Sequence, residues 1–137
     1  MKTIVWMDDD IAYLACISNC QKPIYRVTTF QDCSALEQWL LKRGSELITK
    51  GEIAAIFLDF FINSNDAYGE NTTSFDFDIP RLLRDVLSYS GPIFVVSGYD
   101  LSNEKEYIEK YNLKYIEKNT FTHKDINNMV SSFEENP

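Results

Sequence analysis

Residues 3–10 are TIVWMDDD, a short, largely apolar run that ends in three consecutive aspartates. A second run, AAIFLD at residues 54–59, ends in a single aspartate, Asp59. Short apolar runs that alternate with helical patterns, as these do, are typical of βαβ units and a parallel sheet. In an open parallel sheet the ligand site lies beyond the carboxyl ends of the strands. The acidic ends of the two runs are therefore where we first look for a functional site.

The same alternation continues through the chain and predicts five strands and five helices. The strand candidates are Thr3–Met7, Ile24–Thr29, Ala54–Leu58, Pro92–Ser97 and Leu113–Glu117. The helices are expected near Ile11–Cys20, Ser34–Ile48, Asp78–Tyr89, Ser102–Tyr111 and Lys124–Phe133. With 137 residues, the chain fits one α/β domain over residues 1–137.

Two of the predicted helices carry apolar stripes that should pack on the sheet. The stripes are formed by Ile79, Leu82, Leu83, Val86 and Leu87, and by Ile126, Met129, Val130 and Phe133. The helix near Ser102–Tyr111 has only two tyrosines and one isoleucine to bury, so we expect it to be loosely held. The polar stretch Asn63–Phe75 fits neither period and is expected to form an exposed loop.

The composition limits the classes of partner and location. A net charge of −8 disfavours direct nucleic-acid binding, which depends on clustered Lys and Arg. The apolar start is too short for a secretory signal or a membrane span, so we expect a cytoplasmic protein without a membrane partner. The three cysteines, Cys16, Cys20 and Cys33, contain no C-x-x-C pair and are expected to be reduced and partly buried.

Four strand ends bring together acids, a hydroxyl and a cation. Asp8 and Asp9 follow the first strand, Asp59 ends the third, Ser97 ends the fourth, and Lys118 follows the fifth. Closely spaced carboxylates repel one another and favour a bound cation, for which Mg²⁺ is suited because it prefers hard oxygen ligands. Asp59 could then act as a nucleophile toward phosphorus, with Lys118 and Ser97 stabilising the phosphoryl oxygens. The pattern predicts phosphoryl transfer.

In these positions the chain resembles the receiver domains of two-component response regulators. The resemblance implies a doubly wound, flavodoxin-like (βα)5 fold with strand order 2-1-3-4-5. It further implies that Asp59 is phosphorylated, that the main-chain carbonyl of Phe61 completes the Mg²⁺ shell with Asp8, Asp9 and Asp59, and that Ser97 and Tyr115 switch the surface. The implied partners are a histidine kinase or histidine phosphotransfer protein, and in addition an output protein or a second copy of the chain.

Three departures from the family pattern bear on these expectations. Asn119 stands where the family has a proline, which puts a cis peptide after Lys118 in question because a cis non-proline bond costs roughly 3 kcal/mol. The stretch Asn63–Phe75 replaces a short turn. Phe61 and Tyr99 place two large side chains at the mouth of the site, and we expect them to slow self-dephosphorylation by excluding water. No turnover beyond self-phosphorylation from phosphohistidine and this slow loss is expected.

Two other functions fit parts of the pattern. One is a receiver-like interaction module that is not phosphorylated, which Asn119 and the enlarged loop favour and the intact set of site residues opposes. The other is a small phosphatase similar to the haloacid dehalogenase superfamily, with Asp8 as nucleophile and Asp10 completing a D-x-D pair. That family needs a further acidic pair at a strand end after the lysine. Here, beyond Lys118, acidic residues are found only in or after the last helix.

Overall fold

Five parallel strands form a single sheet in the computed structural model, which describes residues 2–8, 10, 25–59, 78–97, 104–117 and 125–135. The strands are β1 (Lys2–Met7), β2 (Tyr25–Phe30), β3 (Ile53–Asp59), β4 (Ile93–Ser97) and β5 (Leu113–Glu117). Their order, β2-β1-β3-β4-β5, confirms the predicted flavodoxin-like α/β fold. Each predicted strand end lies within one residue of the observed end.

Four helices are found among the described residues. They are α1 (Cys33–Trp39, continued by the π-helical Leu40–Gly44 and by Ser45–Thr49), α2 (Asp78–Arg81, continued by the π-helical Leu82–Val86), α3 (Lys105–Lys110) and α4 (Asp125–Glu135). Within the described part of the chain, no helix is both long and apolar enough to span a bilayer. The helix predicted near Ile11–Cys20 and the loop predicted at Asn63–Phe75 lie outside the described residues.

A side-chain cap explains where α1 begins, and a left-handed residue explains where α2 ends. The side chain of Asp32 accepts a hydrogen bond of 2.7 Å from the Ala35 N–H, which is the usual N-cap interaction. Helix α2 ends earlier than the predicted Tyr89, because Ser88 adopts a left-handed conformation with φ of 56°. A residue in that conformation cannot continue a right-handed helix.

The core consists of two apolar clusters, one on each face of the sheet. The first joins Val5, Met7, Leu58 and Val95 of the strands to buried leucines and isoleucines of α1 and α2. The second packs Ile126 and Val130 of α4 against the other face. Cys33 is partly buried, as expected, and its Sγ donates a hydrogen bond of 3.5 Å to the sulfur of Met7. Cys16 and Cys20 lie outside the described residues.

The apolar stripe predicted for α2 is wrong at Val86, whose side chain is 66% exposed. Ile79 and Leu83 are buried as predicted, and Leu82 and Leu87 are partly buried. The Leu87 N–H donates to the carbonyl of Leu82, five residues earlier, so the helix is locally widened into a π turn. The wider turn shifts the angular spacing away from 3.6 residues and rotates Val86 toward solvent.

Aromatic rings cross the α4 face of the sheet. Trp6 stacks on Phe57 with 4.0 Å between ring centroids, and Phe57 stacks on Phe94 at 4.7 Å. Phe133 of α4 meets Phe94 edge to face at 6.1 Å. We refer to these four residues as the aromatic ladder. It links the central strands β1, β3 and β4 to the last helix.

The end of α4 is also tied to the sheet by polar contacts. Glu134 accepts hydrogen bonds of 2.8 Å from Lys2 Nζ on β1 and from the Tyr25 hydroxyl on β2. The Tyr25 hydroxyl also lies 3.1 Å from Ser131 Oγ. These contacts fix the carboxyl end of α4 against the amino ends of two strands.

Candidate functional site

Two carboxylates lie side by side at the carboxyl edge of the sheet. Met7 pairs with Leu58, so Asp8 and Asp59 occupy the next row of adjacent parallel strands, whose axes are about 4.8 Å apart. Asp8 is 0% exposed and Asp59 is 4% exposed. Two buried acids in neighbouring positions are costly unless other groups compensate their charge.

The backbone around Asp8 holds its carboxylate in place. The Asp8 N–H donates to the carbonyl of Phe30 at 3.0 Å, which extends the pairing with β2 past the end of β1. The Asp10 N–H then turns back and donates to Asp8 Oδ1 at 2.9 Å. A hydrogen bond from a backbone N–H to an ionised carboxylate is among the stronger ones in proteins. This hydrogen bond therefore orients one oxygen of Asp8.

Ser97 brings a hydroxyl to the same edge. Val96 pairs with Asp59, so Ser97 is the next residue along the adjacent strand β4, and it is 0% exposed. On its other side Ser97 pairs with Glu117 of β5. A serine next to an acidic residue can donate a hydrogen bond to an oxygen bound there.

Buried polarity is concentrated at this edge. Among the described residues four polar or charged side chains are buried, namely Thr3, Asp8, Asp59 and Ser97. Three of the four belong to the predicted site, although they come from three different strands. Because burying polar groups lowers stability, such a concentration indicates a functional site rather than a structural need.

Several predicted site residues lie outside the described residues. These are Asp9, Phe61 and Lys118, together with Tyr99 and Asn119. The Lys118–Asn119 peptide is therefore not described either. Within the described ranges no group of three or more His, Cys, Asp or Glu side chains is placed to hold a metal ion. Asp8 and Asp59 nevertheless supply two buried carboxylates, and this donor chemistry fits Mg²⁺.

Tyr115 lies on β5, opposite Val95 of β4, and its side chain is 44% exposed. It stands two residues before Glu117, the register partner of Ser97. The predicted switching residues thus lie on neighbouring strands near the same edge. The loosely held helix predicted in this region is α3, which has no buried residue, although Ile108 packs partly on the core.

One residue with an extensive network of contacts was missed from the sequence. Arg84 of α2 donates hydrogen bonds to main-chain carbonyls in two loops at the opposite, amino-terminal edge of the sheet. The signal that could have found it is a cation embedded in the apolar stripe, directly after the buried Leu83. A charged group at such a position needs polar partners.

Comparison with solved structures identifies the fold. No protein-family model matches the sequence, and no curated protein is significantly similar to it. Among solved structures, the signal receiver domain of an HD domain-containing protein from Pseudomonas fluorescens Pf-5 superposes with a TM-score of 0.68, over 98% of this chain and 94% of that one. This chain has the fold of a receiver domain. The two sequences are 14% identical.

Other structures with the receiver fold are also distant in sequence. The chemotaxis protein CheY4 of Vibrio cholerae shares 12% identity and a TM-score of 0.62 over 97% of this chain and 98% of that one. A response regulator receiver domain from Bermanella marisrubri shares 19% identity and a TM-score of 0.63 over 96% and 97% of the two chains. The receiver fold is therefore retained at identities that carry no information on activity by themselves.

Proposed function

We propose that this chain is a phosphoacceptor signalling domain of a two-component or phosphorelay system, phosphorylated on Asp59. The observation that carries the proposal is the buried row of Asp8 and Asp59 with Ser97 one step further on the next strand. These three residues stand at the carboxyl ends of the neighbouring strands β1, β3 and β4. The fold alone would not require any polar residue to be buried there.

The proposed reaction is a direct transfer to a carboxylate. One oxygen of Asp59 forms a bond to phosphorus while the bond from phosphorus to the donor nitrogen breaks. The nitrogen leaves with the electron pair and takes up a proton, and the product is an acyl phosphate. Ser97, one row beyond Asp59 on the adjacent strand, is proposed to donate its hydroxyl to a phosphoryl oxygen, and Lys118 is proposed to supply a positive charge.

Mg²⁺ is proposed to be held by Asp8 and Asp59, with Asp9 and the Phe61 carbonyl as further ligands. A bound divalent ion neutralises charge on carboxylate and phosphoryl oxygens. The donor nitrogen is proposed to belong to the phosphohistidine of a histidine kinase or histidine phosphotransfer protein. Phosphorylation is proposed to draw the Ser97 hydroxyl toward the phosphoryl group and Tyr115 inward from its exposed position. An output protein, or a second copy of the chain, would then recognise the altered surface.

The decisive experiment is incubation with phosphoramidate and Mg²⁺, followed by intact-mass measurement. Wild type and Asp85→Asn should each gain one phosphoryl group, and Asp59→Asn should gain none. Asp85 is a suitable control because it is an exposed carboxylate on α2. Absence of the adduct on wild type would favour the non-phosphorylated interaction module.

Two further variants separate the remaining alternatives. An adduct that persists in Asp59→Asn and is lost in Asp8→Asn would favour a phosphatase with Asp8 as its nucleophile. Ser97→Ala should still be phosphorylated, more slowly, but the fluorine NMR signal of fluorotyrosine at position 115 should no longer shift on phosphorylation. A shift of equal size in Ser97→Ala would contradict the proposed link between the two residues.

A further inference from the structure

Arg84 connects α2 to two loops that precede strands. Its Nε donates to the Tyr111 carbonyl at 2.8 Å, and its Nη2 donates to the Asn112 carbonyl at 3.1 Å. Its Nη1 donates to the carbonyls of Tyr89 at 2.9 Å and Gly91 at 2.7 Å. The guanidinium also lies over the Tyr89 ring, 5.7 Å from the centroid. We call Arg84 with these four carbonyls the base clamp.

In the base clamp the Arg84 guanidinium is bound by main-chain carbonyls and not by a carboxylate of the described ranges. The ion pairs formed between described residues are Lys2–Glu134, Arg43–Glu46 and Arg81–Asp78, so Arg84 has no carboxylate partner among them. Burial lowers the pKa of its guanidinium, as expected for a partly desolvated cation. Four carbonyl acceptors compensate for this loss of water. Arginine suits such a site because its donors point in fixed, divergent directions.

The two loops held by the clamp each have a conformational constraint. Asn112 adopts a left-handed conformation with φ of 52°, immediately before β5. In the other loop, the Tyr89 ring packs so closely on Gly91 that a Cβ there would lie 2.5 Å from the tyrosine oxygen. The Tyr89 hydroxyl donates to the Pro92 carbonyl at 3.1 Å. The amino ends of β4 and β5 are thus fixed together.

Side chains of β5 and of the turn before it differ in burial between the clamp and the carboxyl end of the strand. Tyr111 and Leu113, next to the clamp, are 6% exposed each. Further along β5, Tyr115 is 44% exposed and Glu117 is exposed as well. Helix α3 has no buried residue. The clamp therefore anchors the base of the unit, and the pairing of β5 with β4 connects its upper end to Ser97 through Glu117.

We propose that Arg84 is the positioning residue about which the α3–β5 unit moves, so that its base stays fixed while its upper end responds to events at Ser97. The anchoring does not depend on the proposed phosphorylation, whereas its use in signalling rests on it. A fixed hinge point converts a small displacement at one end into rotation of the whole unit.

Hydrogen–deuterium exchange of the full chain, without any phosphodonor, tests the anchoring. Arg84→Met should raise exchange across residues 104–117 by about tenfold, because charged-donor hydrogen bonds at the base are lost. Strands β1 and β3 should exchange as in wild type. Arg84→Lys, which keeps the charge but reaches fewer carbonyls, should give a smaller increase over the same residues.

Arg81→Met is the matched control, since Arg81 lies one turn earlier on α2 and pairs only with Asp78 at the surface among the described residues. It should leave residues 104–117 unchanged. Equal acceleration throughout the sheet in Arg84→Met would overturn the proposal, because Arg84 would then support global stability alone. Unchanged exchange in residues 104–117 would overturn it too. If Arg84→Met does not fold, the same two criteria apply to Arg84→Lys.

The phosphodonor experiment keeps the two proposals separate. Arg84→Lys should be phosphorylated at the wild-type rate, because the clamp lies at the edge of the sheet opposite Asp59. If wild type accepts no phosphoryl group but exchange changes as expected, the proposed function fails and the anchoring stands. If phosphorylation succeeds and exchange does not change locally, the anchoring fails alone.

Discussion

The indole ring of Trp6 stacks on the phenyl ring of Phe57 with an interplanar angle of 4°, and both side chains are fully buried. Two residues further along the same two strands stand Asp8 and Asp59. Side chains two residues apart on a strand share a face, so the stacked rings form an apolar floor beneath the acidic pair. This floor excludes water from one side of the site.

Truncating Phe57 should lower the free energy of unfolding more than truncating an exposed apolar side chain. We expect Phe57→Ala to lower the free energy of unfolding by about 3–5 kcal/mol, because a large cavity replaces a fully buried ring. Leu41→Ala, at a leucine that is 53% exposed, should change it by less than about 1 kcal/mol. Urea denaturation followed by circular dichroism measures both. Similar losses for the two variants would contradict the packing described for Phe57.

The π turn in α2 gives a second stability prediction. Leu83 is 0% exposed and Val86 is 66% exposed, although an uninterrupted α-helix would place both on the apolar stripe. Leu83→Ala should therefore destabilise the protein by about 2–5 kcal/mol, and Val86→Ala by less than about 0.5 kcal/mol. The difference between their urea midpoints is the readout. A large loss in Val86→Ala would mean that the helix is regular and Val86 is buried.

The contacts of Glu134 predict a dependence of stability on pH. Burial raises the pKa of this carboxyl, but hydrogen bonds from Lys2 and Tyr25 outweigh it and bring the pKa below the ordinary value of 4.5. A lowered pKa in the folded state stabilises the protein above the unfolded pKa, and this stabilisation is lost as the pH falls through the folded value. Glu134→Gln should therefore be less stable than wild type at neutral pH, and the difference should vanish in acid.

The size of the Glu134 effect is limited by solvent. Its side chain is 29% exposed, so we expect a neutral-pH difference of about 0.5–1 kcal/mol after screening. Thermal unfolding of both proteins between neutral and acidic pH measures it. Glu37→Gln, at an exposed glutamate on α1, serves as the control and should run parallel to wild type. A Glu134→Gln difference that grows toward acid would reverse the sign derived above.

Divalent ion binding at the acidic pair should appear as a thermal shift. At a Mg²⁺ concentration about ten times Kd, binding to the folded state alone adds about 1.4 kcal/mol of stability. Asp8→Asn should remove most of this gain, and chelation of Mg²⁺ from wild type should remove it entirely. Asp85→Asn should keep it. An equal Mg²⁺ shift in Asp8→Asn and wild type would exclude Asp8 as a ligand.

The sequence predicted those features that depend on the residues of a single strand, such as its burial and the polar residue at its end. The apolar runs that form β1, β3 and β4 indicated strands because a fully buried helix is usually longer than such runs, and the polar residues at their ends marked the edge of the sheet. Asp8, Asp59 and Ser97 were found in this way, and all three are buried at that edge. Strand order followed from the family resemblance rather than from the runs.

Features that depend on contacts between elements could not be derived in the same way. The exposure of Val86 results from a π turn, which a search for a 3.6-residue period cannot detect. The base clamp joins Arg84 to backbone carbonyls of loops up to 28 residues away, and backbone acceptors carry no signature in the sequence. Arg84 stood inside a stripe taken as apolar, and that conflict was the available clue.

The aromatic ladder also equips the protein with its own optical probe. The chain has two tryptophans, of which Trp6 is sealed below the acidic pair while Trp39 is partly exposed on α1, tilted against Phe30 at 5.3 Å. Their fluorescence should differ in wavelength and in accessibility to quenchers. Emission from the sealed indole would register a change of charge at Asp59 with no label attached, and replacing Trp39 by phenylalanine would isolate that signal.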